Sequence, residues 1–250
     1  MKYGLLSDCH GNIQGLVRAW QMLREAGAQK MLCLGDIVGY GAASKACIDF
    51  LMENSSRTIA GNHDHALLKK HSTEQYQSYA VHSLELAREQ LRAKHLQFLE
   101  ELPLISTWEE DGFLIQLTHA HPKSYEDWCY YPKDPYYSLL SPDSPLTAVA
   151  FYGHTHQPRY MVSSEPEEIV IPKHFKLYSL ASLAGKTLVV NVGSCGQPRD
   201  GDTRVCSVLF DTEEKHLIFL RGEYSISSAQ KDMRDLGLDG FVVERLNYGR

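Results

Sequence analysis

The fold is decided by a stretch that joins an apolar strand to a polar loop and then to a helix: YGLLSDCHGN at residues 3–12. From Asn12 onward, apolar residues recur at helical spacing until Gly27, which marks the end of the predicted helix. The same alternation of strand, polar loop and helix continues through the first hundred residues. The sequence therefore predicts an α/β fold.

The later chain changes character after Pro103, where strand patterns dominate. We predict helices at 42–54, 75–101 (with a break) and 225–236, and strands at 31–34, 57–60, 104–109, 113–118, 148–152, 186–192, 205–210 and 216–220. Segments 122–145 and 163–184 fit neither pattern and are interpreted as loops that cover something. Because no internal repeat interrupts the pattern, we expect a single domain over residues 1–250.

Composition excludes several classes of protein. The chain has 250 residues, 43% of them hydrophobic and 22% charged, as in ordinary globular proteins. No apolar run approaches the ~18 residues of a membrane helix, and no signal peptide is expected. The formal net charge of −6 argues against binding to long nucleic acid. The six cysteines are scattered without a C-x-x-C motif, which favours free thiols in a cytoplasmic protein.

Polar residues of metal-binding type follow five of the predicted strands. They are, in chain order, Asp8, His10, Asp36, Asn62, His119, His154 and His156. In an open α/β sheet the carboxyl ends of the strands share one edge, where ligands bind. Each motif alone is a weak signal, but their joint position at strand ends predicts one convergent site.

The chemistry of this set indicates two metal ions. Carboxylate, imidazole and amide donors suit Mn²⁺, Fe or Zn²⁺. Seven donors are too many for one ion with an open position, but they suffice for two ions that share a carboxylate. Two divalent cations about 3.5–4 Å apart can clamp the oxygens of a displacement at phosphorus. We expect His63, beside Asn62, to donate a proton to the leaving group, with Asp64 orienting its ring.

Taken in order, the motifs D-x-H (8–10), GDIVG (35–39), GNHD (61–64), a lone histidine and GHTH (153–156) resemble the signature of the calcineurin-like metallophosphoesterase superfamily. Further along, NVGS (191–194) and QPRDGD (197–202) look like the N-P-G-S and P-R-D-G stretches of its small prokaryotic branch. Val192 departs from the proline that is usual there. The similarity covers most of the chain.

The resemblance implies a four-layer αββα sandwich of two mixed β-sheets flanked by helices. It places Asp8, His10, Asp36 and His156 on one metal, and Asp36, as a bridge, with Asn62, His119 and His154 on the second. His63 would be the proton donor or a transition-state stabiliser. A metal-bridging hydroxide would attack phosphorus directly. Mn²⁺ is the expected metal, with Fe, Zn²⁺ and Ni²⁺ as alternatives.

Substrate contacts are also expected from the resemblance. Asn12 and Arg199 would bind phosphate. His119 is preferred to His121 as the ligand because it follows the strand directly, which leaves His121 to orient a ligand or face the substrate. The aromatic segment 125–132 would offer Trp128 for stacking on a nucleobase. The alternative, that Trp128 only packs this loop onto the sandwich, stays open.

The leading functional hypothesis is a metal-dependent phosphoesterase that acts on small phosphodiesters or dinucleoside polyphosphates. A phosphoprotein phosphatase or a nuclease with the same site is an alternative, and the acidic balance counts against a nuclease. A non-catalytic interaction scaffold is the third hypothesis, which the complete donor set disfavours. His71, His82 and His95 are interpreted as solvated helix faces. The sequence leaves the oligomeric state open.

Overall fold

The computed structural model describes residues 1–123, 128, 139–140, 144–162, 169–170, 176–181, 183 and 185–250. Its strands are β1 (Lys2–Leu6), β2 (Lys30–Cys33), β3 (Arg57–Thr58), β4 (Ile105–Glu110), β5 (Phe113–Thr118), β6 (Thr147–Tyr152), β7 (Arg159–Val162), β8 (Ile169–Val170), β9 (Lys176–Ser179), β10 (Thr187–Asn191), β11 (Val205–Asp211) and β12 (His216–Gly222). Its helices are α1 (Ile13–Glu25), α2 (Ser44–Asn54), α3 (Asn62–Leu67), α4 (Ser78–Gln90), α5 (Ala93–Glu101), α6 (Ile226–Asp235) and α7 (Phe241–Glu244), followed by a 3₁₀ turn (Arg245–Asn247).

The strands form two mixed sheets. The first sheet has the order β3-β2-β1-β11-β12-β9, and the second has the order β4-β5-β6-β10-β7-β8. In the first sheet β3, β2 and β1 run parallel, and in the second β5, β6 and β10 run parallel. The prediction of two mixed sheets flanked by helices is confirmed.

The two sheets pack against each other through their apolar inner faces. Phe210 of the first sheet lies between Phe113 and Phe151 of the second, at ring-centroid distances of 5.2 and 5.4 Å. The opposite face of the first sheet is covered by α1, which buries Leu16, Leu23 and other residues at helical spacing against β1, β11 and β12. Parallel strands that are buried on both faces explain the continuous apolar runs in the sequence.

Two strands lie where the sequence predicts only a covering loop. Segment 163–184 contains β8 and β9, and β9 pairs antiparallel with β12 at the edge of the first sheet. The loop interpretation of this segment is therefore wrong for those residues. A four-residue edge strand leaves too short a pattern to detect from the sequence alone. Most of segment 122–145 lies outside the described residues.

His95 is buried, so its interpretation as part of a solvated helix face is wrong. The ring has no solvent exposure. Its Nδ1 accepts a hydrogen bond from the Arg92 backbone N–H at 2.9 Å, so Nε2 carries the proton and donates to Asp49 Oδ1 at 3.1 Å. Asp49, on α2, also accepts from Lys45 and Lys94, and these hydrogen bonds hold the pKa of its carboxyl well below the usual range. This cluster joins α2 to α5.

No helix in the described part of the chain is both long and apolar enough to cross a membrane.

We expect Asp49→Ala to lower the free energy of unfolding by about 1–3 kcal/mol, because the buried His95 N–H loses its acceptor. Asp235→Ala, which removes an exposed partner of Lys231, is the matched control and should change that free energy by less than about 0.5 kcal/mol. Urea denaturation of the two variants checks this. Equal small effects would contradict a structural role for the Asp49 cluster.

Candidate metal centre

Five loops meet where the two sheets adjoin. The loops after β1, β2 and β3 come from the first sheet, and the loops after β5 and β6 come from the second. They carry, in chain order, Asp8 and His10, Asp36, Asn62, His119, and His154 with His156. A hydrogen bond from the backbone N–H of His154 to the carboxylate oxygen Oδ2 of Asp8 (3.1 Å) joins the two sheets at this point. The edges of two sheets, rather than one edge of one sheet, bring the residues together.

Backbone strain is concentrated in these loops. Five of the predicted ligands have φ angles between 43° and 64°, a region that residues other than glycine seldom adopt: Asp8, His10, Asp36, His154 and His156. Strain of this kind clusters at functional sites, where surrounding structure over-determines the backbone. Gly153 permits the close approach, because a Cβ there would lie 2.4 Å from Asp8 Oδ2.

Four imidazole rings are oriented by backbone carbonyls. A carbonyl only accepts hydrogen bonds, so the ring nitrogen facing it carries the proton and the other nitrogen presents its lone pair to the cluster. The pairs are His10 Nδ1 with Val38 O (3.0 Å), His119 Nδ1 with Leu34 O (2.6 Å), His156 Nδ1 with Gln197 O (2.6 Å) and His154 Nε2 with Trp128 O (3.0 Å). The nitrogens that remain are Nε2 of His10, His119 and His156, and Nδ1 of His154.

The donor atoms of the predicted ligands fall into two compact groups. Asp8, His10 and His156 form one, and Asp36, His119 and His154 form the other, with the ligand atoms of each group within 4.8 Å of one another. Asp36 Oδ2 lies between them, 3.5 Å from His10 Nε2 and 3.3 Å from His119 Nε2. The carboxylate of Asp36 is therefore within reach of both groups.

Several donors are left unsatisfied by the protein itself. Asn62 donates from Nδ2 to the Tyr76 hydroxyl at 2.5 Å, while its buried Oδ1 has no hydrogen-bond partner in the described part of the chain, and neither has His119 Nε2. His10 Nε2 and His156 Nε2 face each other at 3.1 Å. Buried lone pairs without partners are unfavourable. Divalent cations would satisfy these lone pairs, and the mixed set of oxygen and nitrogen donors fits such ions.

Burial and the nearby carboxylates together set the charge of the four imidazole rings. Burial lowers the pKa of His10 and His156 well below the usual value, and that of His154 to about 4, so these rings are neutral. Burial also acts to lower the pKa of His119, but the Asp36 and Asp8 carboxylates outweigh it and raise that pKa to about 10. A positive charge, from a proton or a cation, is thus favoured beside Asp36.

Asp64 does not orient His63, so that prediction is wrong. The Asp64 carboxylate accepts hydrogen bonds from the backbone N–H groups of Ile37 (3.0 Å), Val38 (3.3 Å) and Gly61 (2.9 Å). It thereby ties the loop after β2 to the start of α3. The reason is that both residues lie on α3, where successive side chains point about 100° apart.

His63 belongs to neither of these two donor groups, but with His10 and Asp36 it forms a third set whose ligand atoms also lie within 4.8 Å of one another. Its buried ring is 4.8 Å from the His10 ring and 4.7 Å from the Tyr40 ring, measured between centroids. Its Nδ1 has no hydrogen-bond partner among the described residues. Burial lowers its pKa to about 4, so the ring is neutral near pH 7.

Two predicted substrate contacts have other partners. Asn12 caps α1, with Oδ1 accepting from Gly15 N at 3.0 Å, and its Nδ2 donates to Gly196 O at 2.7 Å. These bonds account for its burial, and the phosphate contact of Asn12 stays a prediction. His121 Nδ1 accepts from Lys123 N at 3.1 Å, and the ring belongs to neither donor group. The structure brings His119, not His121, into the cluster.

A cavity of about 820 Å³ opens beside the donors. Asn62, His63 and His154 line one end of it, and Arg199 and Arg245 contribute positive charge. Aromatic rings supply much of the remaining wall: Tyr40, Tyr76, Tyr79 and Trp128. His71 also lines this cavity and is half-buried, so its interpretation as a solvated helix residue is wrong.

Sequence reasoning missed Tyr40, Tyr76 and Arg245 as wall residues. Tyr40 had a usable signal, because it directly follows the GDIVG motif at residues 35–39. Nothing in the pattern around Tyr76 or Arg245 marks them, since Tyr76 lies in the connection between α3 and α4 and Arg245 begins the C-terminal 3₁₀ turn.

We expect His119→Ala to weaken Mn²⁺ binding by about 10-fold or more, because the ring nitrogen that faces Asp36 is lost. His121→Ala is the matched control, a buried histidine two residues away, and should leave the affinity within about 2-fold of the wild type, a difference below about 0.5 kcal/mol. Isothermal titration of the chelator-treated proteins checks this. Equal losses would contradict the choice of His119.

Comparison with known proteins gives a consistent family assignment. Residues 1–215 match the model of the calcineurin-like phosphoesterase superfamily domain. The chain is 30% identical over 246 residues to the uncharacterized protein MJ0912 of Methanocaldococcus jannaschii, covering 98% of this chain and 97% of that protein. The crystal structure of a metallophosphoesterase from Sphaerobacter thermophilus aligns with 30% identity and a TM-score of 0.81, over 100% of this chain and 99% of that one. Protein PH1004 of Pyrococcus horikoshii shares the fold, with 18% identity and a TM-score of 0.71 over 100% and 98% of the two chains. The chain belongs to the calcineurin-like phosphoesterase superfamily.

Proposed function

We propose that this phosphoesterase uses two divalent cations to hydrolyse small phosphodiesters or dinucleoside polyphosphates. The observation that carries the proposal is the pair of donor groups that the Asp36 carboxylate links. They lie beside a cavity that Arg199 also lines. Buried carboxylates and lone pairs attract cations, and cations together with a guanidinium attract phosphate. We keep Mn²⁺ as the expected ion, with Fe, Zn²⁺ and Ni²⁺ as alternatives.

In this proposal the donors divide between two ions. The first would be held by Asp8, His10, His156 and Asp36, and the second by Asp36, Asn62, His119 and His154. Support for a bridging Asp36 comes from its Oδ2, which is within 3.5 Å of a ring nitrogen in each group. Support for Asn62 comes from its buried Oδ1, which has no protein partner in the described residues.

When bound, two such cations supply Lewis acidity to the phosphoryl group and lower the pKa of a water molecule. The chain's own residues then position the substrate. Arg199 is held by Gln197 Oε1 (2.8 Å from Nη2), and its charge helps to lower the pKa of both His63 and His156. Its field therefore reaches the donor groups, where a phosphate oxygen would lie. We propose that Arg199 binds that oxygen.

We propose that the neutral His63 ring acts as a hydrogen-bond donor that stabilises the transition state. The ring lies at the cavity end of the cluster, with one nitrogen lacking a protein partner in the described residues. A ring whose pKa is about 4 carries one proton at neutral pH, so it can donate a hydrogen bond without being a cationic acid. Of the two roles that the resemblance implies, this favours the stabiliser.

Two further features stay predictions. We propose that residues 1–250 form one domain, because the inner faces of both sheets contribute to one hydrophobic core. A cytoplasmic location rests on the scattered cysteines, of which Cys9, Cys33, Cys47, Cys195 and Cys206 are buried and free in the structure.

We expect the chelator-treated chain to regain hydrolysis of bis(p-nitrophenyl) phosphate when Mn²⁺ is added. In Asp36→Asn the kcat/KM should fall by about 100-fold or more, since even residues that only orient a ligand can cost that factor. Asp211→Asn, a buried carboxylate at the far end of β11, is the matched control and should stay within about 2-fold. Activity that survives in Asp36→Asn would overturn the proposed metal site.

The stacking role of Trp128 can be separated from its packing role. Its indole lines the cavity, whereas the contact with His154 Nε2 is made by its backbone oxygen and is kept in Trp128→Ala. If the ring stacks on a base, the KM for thymidine 5′-p-nitrophenyl phosphate should rise in this variant by an amount equivalent to about 1–3 kcal/mol. The KM for methyl p-nitrophenyl phosphate is the reference. A lower Tm with an unchanged ratio of the two KM values would favour packing alone.

A further inference from the structure

One wall of the cavity comes from the end of the chain. The C-terminal segment, residues 241–250, lies beyond residues 1–215 that match the family model. Its apolar residues Val242, Val243 and Leu246 are buried against Met233 of α6 and its neighbours. The segment is therefore packed into the fold.

Gly249 docks this segment onto the loop that carries Arg199. Its backbone oxygen accepts a hydrogen bond from Gly201 N at 2.9 Å. It has a φ of 61°, and a Cβ at this position would lie 2.6–2.7 Å from the backbone of Asp202. Only glycine allows this approach without movement. The contact fixes the C-terminal segment relative to Arg199.

Arg245 reaches the cavity from this segment. The residue is 7% exposed, and its Nε donates to the backbone oxygen of Arg250. Its guanidinium carbon lies 5.9 Å from the centre of the Tyr40 ring, and that of Arg199 lies 5.5 Å from the same centre. The Tyr40 ring in turn lies 4.7 Å from the rings of His10 and of His63. The Tyr40 ring thus lies near both guanidinium groups and near two histidines of the candidate site.

The charge of this wall contrasts with that of the whole chain. The chain carries a net charge of −6, yet two arginines share the cavity, and the described lining residues include one carboxylate, Glu74. An anionic group that binds in this cavity is attracted by both guanidinium groups, and partial desolvation strengthens that attraction. The planar guanidinium is also the side chain best matched to phosphate, which it can bind with two parallel hydrogen bonds.

Resting on the proposed function, we infer that Arg245 is a specificity-determining residue that, together with Arg199, binds a second phosphate group of the substrate. The substrate class is then compounds with a P–O–P linkage, such as dinucleoside polyphosphates, rather than simple diesters. In their hydrolysis the oxygen of water forms a bond to one phosphorus, the bridging P–O bond breaks, and the bridging electrons leave with the other phosphate. The two protons of water pass to the products or to solvent. The arginine pair would neutralise the charge of that second phosphate.

The kinetic test compares two substrates. The ratio of kcat/KM for diadenosine tetraphosphate to that for thymidine 5′-p-nitrophenyl phosphate should fall by about 10-fold or more in Arg245→Gln, because a charged hydrogen bond to phosphate is lost. Arg245→Lys should recover part of the ratio. The matched control is Arg234→Gln, an exposed arginine paired with Glu244, which should keep the wild-type ratio. An unchanged ratio in Arg245→Gln would overturn the inference.

A binding test separates this inference from the proposed hydrolysis. Adenosine 5′-diphosphate and 5′-monophosphate are titrated into the Mn²⁺-loaded chain at one excess Mn²⁺ concentration, and the gain in affinity from the second phosphate is measured. Arg245→Gln, and Gly249→Ala if it keeps the wild-type Tm, should reduce that gain by about 10-fold. An equal gain in wild type and Arg245→Gln, or no gain in the wild type, would overturn the second phosphate site. Absence of hydrolysis with either substrate would instead overturn the proposed function, and the binding result would still stand.

Discussion

The hydrogen bonds from four buried imidazole rings to backbone carbonyls are the interaction on which the candidate site depends. Each bond decides which ring nitrogen keeps its proton and which lone pair faces the cluster. The accepting carbonyls belong to three loops: Leu34 and Val38 follow β2, Trp128 follows β5 and Gln197 follows β10. Correct placement of the loops therefore orients the rings, and the left-handed backbone of five ligand residues is part of that placement. The strain in those loops is offset by the bonds that the loops make possible.

The buried carboxylates are likewise held in place by hydrogen bonds to the backbone. Asp8 accepts from the backbone N–H of His154, Asp36 from that of His63 at 2.8 Å, and Asp64 from three backbone N–H groups. A carboxylate without solvent needs such donors to stay in the fold. For Asp36 burial acts to raise the pKa, and the neighbouring His119 nevertheless holds it well below its usual range. Main-chain amides and imidazoles together keep an anionic centre inside an apolar protein.

Sequence reasoning worked best where residue type and local period carry the information. Apolar strands that end in polar loops predicted the convergence of Asp8, Asp36 and the histidines, because strand direction brings such ends to one edge within each sheet. The docking of the two sheets, which the sequence pattern does not show, joins the two edges. It failed where geometry depends on distant packing. Adjacency in the chain suggested that Asp64 touches His63, but a helix separates neighbouring side chains. His95 donates to Asp49 on another helix, and β9 pairs with β12, which follows it by more than 35 residues. Arg245 reaches the cavity because Gly249 packs against the loop that carries Arg199. None of these contacts leaves a local pattern.

The division of the site between two sheets has a consequence for folding. Residues from 8 to 62 stand on the first sheet and residues from 119 to 156 on the second, so neither half alone presents a complete set of donors. An ion that binds the complete set recognises only the chain in which both sheets have docked, and by mass action it stabilises that state over every half-assembled one. Bound metal ions would therefore stabilise the docked pair of sheets against their separation.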